Sequence, residues 1–451
     1  PHWLRKPGQK RRRANMANDL REFGDACWNS YSGRAWADAI GDCQAVPVAD
    51  DMIYIATRGV VGNVSALRTS EGLVVFDSGG AQTARKIYDT LRAWDPAPIH
   101  TIILTHGHVD HVMGLPLFDQ EARARSHPPI RVIGQSDMLP RFKRYATTAG
   151  FNANINARQF GLPAYRWPSE FRAPDVTYED ELSISVGGRS LELHHGMGET
   201  DDHTWTWIAD RKVIISGDFV IWAAPNCGNP QKVQRYCKPW ADAFRGMAAK
   251  NANALIPGHG PAVFGADRVQ QLLGDGARLL DTIHDQAVAL MNQGKTLDEV
   301  IAAVEMPGEL LSRPYFQPTY DDPEFLVRNV WRLYGGWWDG DPAHLKPAPS
   351  SALASELASL AGGAGRLAER ARVLAEQGEL RLAGHLVEFA VKAEPDNVEL
   401  HKIRIAVNQK RAAADRTTMG RGVFNSAVRE SQAIADPEAL KTPVRREVGI
   451  G

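Results

Sequence analysis

The stretch Thr105-His106-Gly107-His108-Val109-Asp110-His111 follows directly on the apolar run Ile102-Ile103-Leu104. A chain can bury such a cluster of imidazoles and carboxylate only if the groups are paired or hold a cation, so the strand must end where several loops converge. Imidazole and carboxylate together suit zinc. On a strand-to-helix turn, two imidazoles can face one ion while the Asp and third His face a neighbour, which reads as a two-metal site. Three further ligand-type residues follow: His203 opens His-Thr-Trp-Thr-Trp, Asp218 closes Val-Ile-Ile-Ser-Gly-Asp, and His259 sits in Pro-Gly-His-Gly. Each lies at the edge of a strand-like run.

The flanking pattern is that of mixed α/β structure. Residues 52–58 and 64–69 alternate as strands do, and Ser70-Glu71-Gly72 turns the chain into Leu73-Val74-Val75-Phe76-Asp77. An amphipathic helix is predicted over 81–94, with Ile87, Leu91 and Trp94 on one face, before a strand from His100 to Leu104. A second unit runs from Leu191-Glu192-Leu193 through a hairpin turning at Ala209-Asp210-Arg211 to a helix near 239–250 and the short strand Ala254-Leu255-Ile256. Repeated strands feeding loops at one edge predict two packed sheets with helices outside, and a rim where the ligands gather.

Composition narrows the partners. A chain of 451 residues with net charge −1 is long enough for two or three domains, and its charge balance gives no case for nucleic acid. No run reaches the ~18 apolar residues of a membrane span. The cysteines, Cys27, Cys43, Cys227 and Cys237, lack metal-type spacing and read as thiols of a soluble cytoplasmic protein. Lys10-Arg11-Arg12-Arg13 has no apolar segment behind it, so residues 1–20 read as a basic tail, with Met16 a candidate start.

The ordered set HxHxDH, then His203, Asp218 and His259, resembles the metallo-β-lactamase superfamily of binuclear hydrolases over roughly residues 50–265. The resemblance implies an αββα sandwich, with His106, His108 and His203 on one zinc, Asp110, His111 and His259 on the other, and Asp218 bridging. It also implies a shared water, acidified between two Zn2+ ions to hydroxide, as nucleophile; Asp110 and Asp218 would position it. The run from Trp331 to Leu345 resembles the segment that leads into the helical dimerisation domain of the alkylsulfatase branch. Helices are predicted near 352–361, 366–377, 379–393 and 397–412. The expected division is therefore a tail over 1–20, a catalytic domain over 21–310, a dimerisation domain over 311–440 and a tail over 441–451, without the lipid-carrier-like C-terminal domain of some relatives.

These features imply a homodimeric alkylsulfatase-like zinc hydrolase acting on a small molecule, anionic and amphiphilic. One departure stands out, because alkylsulfatases carry carboxylates where this chain has His203 and Asp218. Lactonase, thioesterase and β-lactamase chemistry therefore stay open on the same scaffold, as does a metal-bearing interaction protein. Glu199, Asp201 and Asp202 are read either as supports for ligand imidazoles or as a solvated acidic turn. Residues 141–172 are predicted to be an irregular lid, rich in Arg and aromatics, from which Arg158 and Arg166 would meet an anion. A second segment leaving Asp218 offers Asn226, Lys232, Arg235 and Tyr236 as substrate contacts.

Overall fold

A computed structural model describes residues 16–30, 43–57, 61–162 and 164–438. The first sheet contains β1 (Gln44–Ala49), β2 (Met52–Ala56), β3 (Val64–Thr69), β4 (Gly72–Phe76), β5 (Ile99–Ile103), β6 (Arg131–Gln135) and β7 (Val176–Tyr178), in that spatial order. The second contains β8 (Glu181–Val186), β9 (Arg189–His195), β10 (Thr204–Ile208), β11 (Val213–Gly217), β12 (Ala254–Pro257) and β13 (Val263–Phe264), ordered β13-β12-β11-β10-β9-β8.

Alternation along β2 shows how the layers form. Met52, Tyr54 and Ala56 point into the core shared with Leu193, Trp205 and Ile214 of the second sheet. Ile53 and Ile55 point the other way, against Ile87, Leu91 and Phe118 of the helices Ala84–Trp94 and Leu115–Ala124. Such period-two burial fixes register, since a one-residue slip would send each set into the core shaped for the other. The helices Cys237–Ala249 and Ala266–Asn292 close the other side through Trp240, Phe244, Leu272 and Leu273. The result is the mixed α/β metallo-β-lactamase sandwich, followed by a helical region.

Within the sheets, β4, β5, β6 and β7 run parallel, as do β11 and β12. Parallel connections leave their crevice outside the strands' carboxyl ends, where functional loops collect. Asp77 follows β4, the histidine cluster follows β5, Asp218 follows β11 and His259 lies beyond β12. Thr204 N–H donates to Thr105 O at 2.6 Å, and Asn63 N–H to Gly258 O at 2.7 Å. These bonds tie the loops of one sheet to those of the other.

Two expectations change. The span read as an irregular lid contains the helices Met138–Thr147 and Ala149–Phe160, and only its later part is loop. Arg141 there is buried and paired with Asp201 and Asp202, so its charge braces the fold. Beyond the predicted helices, here Ser350–Ala361, Ala364–Glu376, Leu380–Ala393 and Val398–Ala414, the chain forms another, Thr418–Ala435. Gly420 and Gly422 weaken its local signal, and packing overrides that propensity. At the other end, Met16–Ser30 is helical and Leu20 is buried, so structure starts inside the stretch read as tail; the basic run and residues 441–451 lie outside the described residues. No helix among the described residues is long and apolar enough to cross a membrane.

Candidate metal centre

Two donor groups gather at the rim, each drawing on loops of both sheets: His106, His108, Glu199 and Asp218, and Asp110, His111 and His259. Within each group the donor atoms lie within 4.8 Å of one another. His111 Nε2 is 3.3 Å from Asp218 Oδ1 and 3.4 Å from Asp110 Oδ2, while His259 Nε2 is 3.2 Å from Asp218 Oδ2. Donors bound tetrahedrally at about 2.0–2.1 Å from zinc stand roughly 3.4 Å apart, so this spacing is that of a ligand shell. Asp218 reaches both groups, since its Oδ2 also lies 3.8 Å from His106 Nε2.

The residues fit a pair of cations on a second ground. His111 Nε2, Asp218 Oδ1 and Glu199 Oε2 are buried and make no hydrogen bond. Polar atoms left so inside a protein are costly unless another partner meets them. Electrostatics agree. Burial pushes His106 and His108 well below the ordinary histidine range, which leaves neutral imidazoles able to donate lone pairs. Burial opposes charge on His111 and His259 too, but Asp218 and Asp110 together, with Asp77 adding at His111, outweigh it and raise both, His259 to about 9. The carboxylates thus demand positive charge at this point.

Supporting residues aim the donors. His111 Nδ1 faces Asp77 Oδ2 at 2.8 Å, while Asp77 Oδ1 accepts the Thr105 N–H at 2.7 Å. Such a carboxylate fixes the tautomer and direction of a ligating imidazole. Nothing in the sequence reading singled out Asp77; its signal is an Asp closing an apolar strand before Ser-Gly-Gly. Asp202 takes the Gly107 N–H at 2.8 Å and the Arg141 Nε–H at 2.8 Å, so it shapes the HxH turn rather than an imidazole. Gly258 permits the closest approach, because a Cβ there would fall 1.8 Å from Asp218 Oδ1.

The main difference from expectation concerns His203. Its Nε2 accepts the Asp218 N–H at 3.0 Å and its ring stacks on His106 with centroids 4.4 Å apart. Its Nδ1 is buried without a hydrogen bond, yet the group of donors within 4.8 Å of one another contains Glu199 and not His203, which sits beside it. Glu199 Oε1 accepts from Asn226 Nδ2 at 2.6 Å and from Arg235 Nη1 at 2.9 Å. Burial raises its carboxyl to about 8 against the pull of Arg235. A carboxylate thus stands in the group where the resemblance had put His203. Asn226 and Arg235 face Glu199, which a sequence reading alone could have found only by expecting a buried Arg to need an acid. His194 stacks on Trp205 at 4.1 Å and His195 Nε2 pairs with Asp201 O at 2.7 Å, so neither joins the centre.

A cavity of about 350 Å³ opens onto these donors. Phe160, Leu162, Tyr165, Trp167, Ile221 and Trp222 give it apolar walls, and Arg166 and Lys232 bring cations. Lys232 Nζ donates to Asn156 Oδ1 at 3.2 Å, and burial, helped by Arg235, lowers it to about 8. Two proposed contacts are corrected. Arg158 is exposed and donates to Gln231 Oε1 at 3.0 Å, because its turn of the helix faces outward. Tyr236 caps the helix Cys237–Ala249, its N–H given to Gly198 O at 3.3 Å, and is absent from the cavity lining.

Replacing Glu199 by Ala is expected to remove about one bound divalent ion per chain, whereas His203→Gln retains both ions. Elemental analysis of the purified variants measures this, and loss of metal from His203→Gln with full occupancy in Glu199→Ala would reverse the assignment.

The family described as the Metallo-beta-lactamase superfamily matches residues 57–259, and that described as Alkyl sulfatase dimerisation matches residues 296–433. The linear primary-alkylsulfatase of Pseudomonas sp. (strain ATCC 19151) is 27% identical over 354 residues, which cover 73% of this chain and 66% of that protein. The (R)-specific secondary-alkylsulfatase of Pseudomonas sp. is 25% identical over 394 residues, 82% of this chain and 59% of that one. The chain thus spans less than two thirds of the length of these relatives. The solved structure of the stereoselective inverting sec-alkylsulfatase Pisa1 from Pseudomonas sp. shares the fold, with a TM-score of 0.79 at 24% identity over 88% of this chain and 67% of that one. With the donor clusters on the rim of such a sandwich and a helical region after it, the chain belongs to the alkylsulfatase-like branch of the metallo-β-lactamase superfamily.

Proposed function

We propose that this chain is a binuclear zinc hydrolase of sulfate esters, selective for anionic amphiphiles. The observation that carries the reading is the pair of donor groups joined at Asp218 and open to one apolar cavity with cations in its wall. When bound, two zinc ions supply Lewis-acid polarisation of the ester oxygen and acidify a water near neutral pH. His106, His108 and Glu199 would hold one ion and Asp110, His111 and His259 the other, with Asp218 within reach of both groups. Asp77 keeps His111 oriented, and Asn226 with Arg235 keeps Glu199 Oε1 occupied and leaves the buried Oε2 available to a metal. Asp110 and Asp218 also position the attacking water. No serine or cysteine lies among the described residues lining the cavity, in keeping with direct attack by water. The aromatic walls exclude solvent and take the alkyl tail, while Arg166 and Lys232 attract the sulfate.

Chelation of the metal is expected to abolish turnover and to lower the melting temperature by roughly 5–10 °C, since a ligand bound only by the folded state stabilises it. Against a panel of sulfate esters, lactones, thioesters and β-lactams, alkyl sulfates should give the highest kcat/KM. A lactone or β-lactam outrunning every sulfate ester would reject the substrate assignment.

Lys232 supplies a pH test. Below about 8 it is protonated and attracts an anion; as pH rises through that value the charge is lost. KM for an alkyl sulfate should therefore climb above pH 8, and Lys232→Arg, charged throughout, should flatten the climb. Identical KM profiles in both proteins would remove Lys232 from sulfate binding.

We also assign a homodimer joined through the helical region, and keep the division near residue 310 as its boundary. Tyr334, Trp337 and Leu345 are more than half exposed, at 57%, 72% and 51%, in the early part of that region. Exposed apolar side chains grouped in this way mark an interaction surface. Light scattering at micromolar concentration should give twice the chain mass of 49.6 kDa, and a mass of one chain would exclude the assignment.

A further inference from the structure

The helical region also reaches the cavity. Thr319 and Tyr320, inside the segment matched as Alkyl sulfatase dimerisation, line it. Both are held from behind by the first turn of the helix Thr418–Ala435. Thr418 N–H donates to Thr319 O at 3.0 Å and Met419 N–H to Tyr320 O at 3.1 Å, while Thr418 Oγ1 adds a bond to Thr319 O at 3.2 Å. The first N–H groups of a helix have no partner inside it, and here they grip a strip of cavity wall. Thr417 caps the helix separately, its hydroxyl accepting the Gly420 N–H at 2.9 Å.

The same helix lies on Ala149–Phe160, which offers Asn152, Asn156 and Phe160 to the cavity. A Cβ at Gly422 would fall 2.0 Å from Gln159 O, so the two backbones touch only because residue 422 is glycine. Arg429 Nη2 donates to Arg158 O at 3.4 Å further along the contact. Gln159 Nε2 then donates to the Tyr320 hydroxyl at 3.0 Å and closes a ring of wall helix, wall strip and last helix.

We propose that the N-terminal half of the helix Thr418–Ala435 is a clamp that sets the cavity wall formed by Thr319, Tyr320 and the helix Ala149–Phe160, with Thr418, Met419 and Gly422 as positioning residues acting through Thr319, Tyr320 and Gln159. The part of the substrate that meets this wall is then selected by the helical region, a role separate from assembly. This rests on the proposed function only in taking the cavity as the substrate site.

Two full-chain variants test it. Gly422→Ala drives the last helix away from Gln159. Thr418→Pro removes both donors to Thr319, yet proline suits the first helical position, and Thr417, at φ −84° and ψ 145°, has the backbone a residue before proline requires. Each variant should raise KM for decyl sulfate about tenfold with kcat and metal content little changed, and should weaken binding of decane-1-sulfonate, whose carbon–sulfur bond resists hydrolysis, by a similar factor. Hydrogen exchange should quicken in residues 149–160 and 319–320 but not in the metal loops. Thr418→Ser, which keeps both donors, should behave as the parent protein does. Unchanged exchange and unchanged sulfonate affinity in both variants, with normal melting, would overturn the clamp. If the parent protein neither binds the sulfonate nor cleaves the ester while exchange still quickens in the variants, the clamp stands and the sulfate-ester reading fails.

Discussion

Charge buried between two sheets governs this molecule. Asp77, Asp218 and Glu199 are held in the seam, with Asp110 at its mouth, beside His106, His111, His203 and His259. Burying carboxylates without compensation costs several kcal/mol each, so the groups must be met by hydrogen bonds, by protonated imidazoles or by a cation. Asp77 is met by Thr105 and His111. Asp218 and Glu199 each keep an oxygen that no hydrogen-bond donor meets, and that of Asp218 lies 3.3 Å from His111 Nε2. The rest of the rim follows from this demand. Gly258 leaves space for Asp218, and Asn63 holds the His259 loop by donating to Pro257 O at 2.9 Å and Gly260 O at 2.8 Å.

Rigidity around the donors comes from cross-sheet bonds rather than from the loops themselves. Arg141 and Asp202 form a buried strut between the helix Met138–Thr147 and the HxH turn. A donor set arranged before a ligand arrives loses little to reorganisation, and ligands placed on separate strands are held by the whole sandwich. The cavity differs in origin. One stretch of wall comes from the sandwich rim, through Ile221 and Trp222, while another is assembled from a helix, a short strip and the clamp behind them.

Much of this was legible in the residues. Apolar alternation at Met52 to Ala56 marked a strand, and the HxHxDH cluster marked the metal rim, because those patterns report local geometry. Glu199 was harder to see, because His203 sits four residues on in the same loop and both are ligand-type side chains. Only the fold shows that His203 spends its Nε2 on the Asp218 N–H, whereas Asn226 and Arg235 converge on Glu199 from elsewhere in the chain. The helices over 138–160 were hidden by interleaved Arg and aromatic residues, whose partners, such as Asp201 and Asp202 for Arg141, lie some sixty residues away. The last helix was hidden by the glycine that its packing against Gln159 requires.

The central claim is a two-ion centre in which Glu199, with His106 and His108, completes one shell. Anomalous diffraction at the zinc edge from crystals of the purified protein tests it most directly. Two peaks are expected, one within about 2.2 Å of donor atoms of His106, His108 and Glu199 and one within the same distance of Asp110, His111 and His259, with Asp218 between them. A single peak, or a first peak bound by His203 with Glu199 turned away, would contradict it.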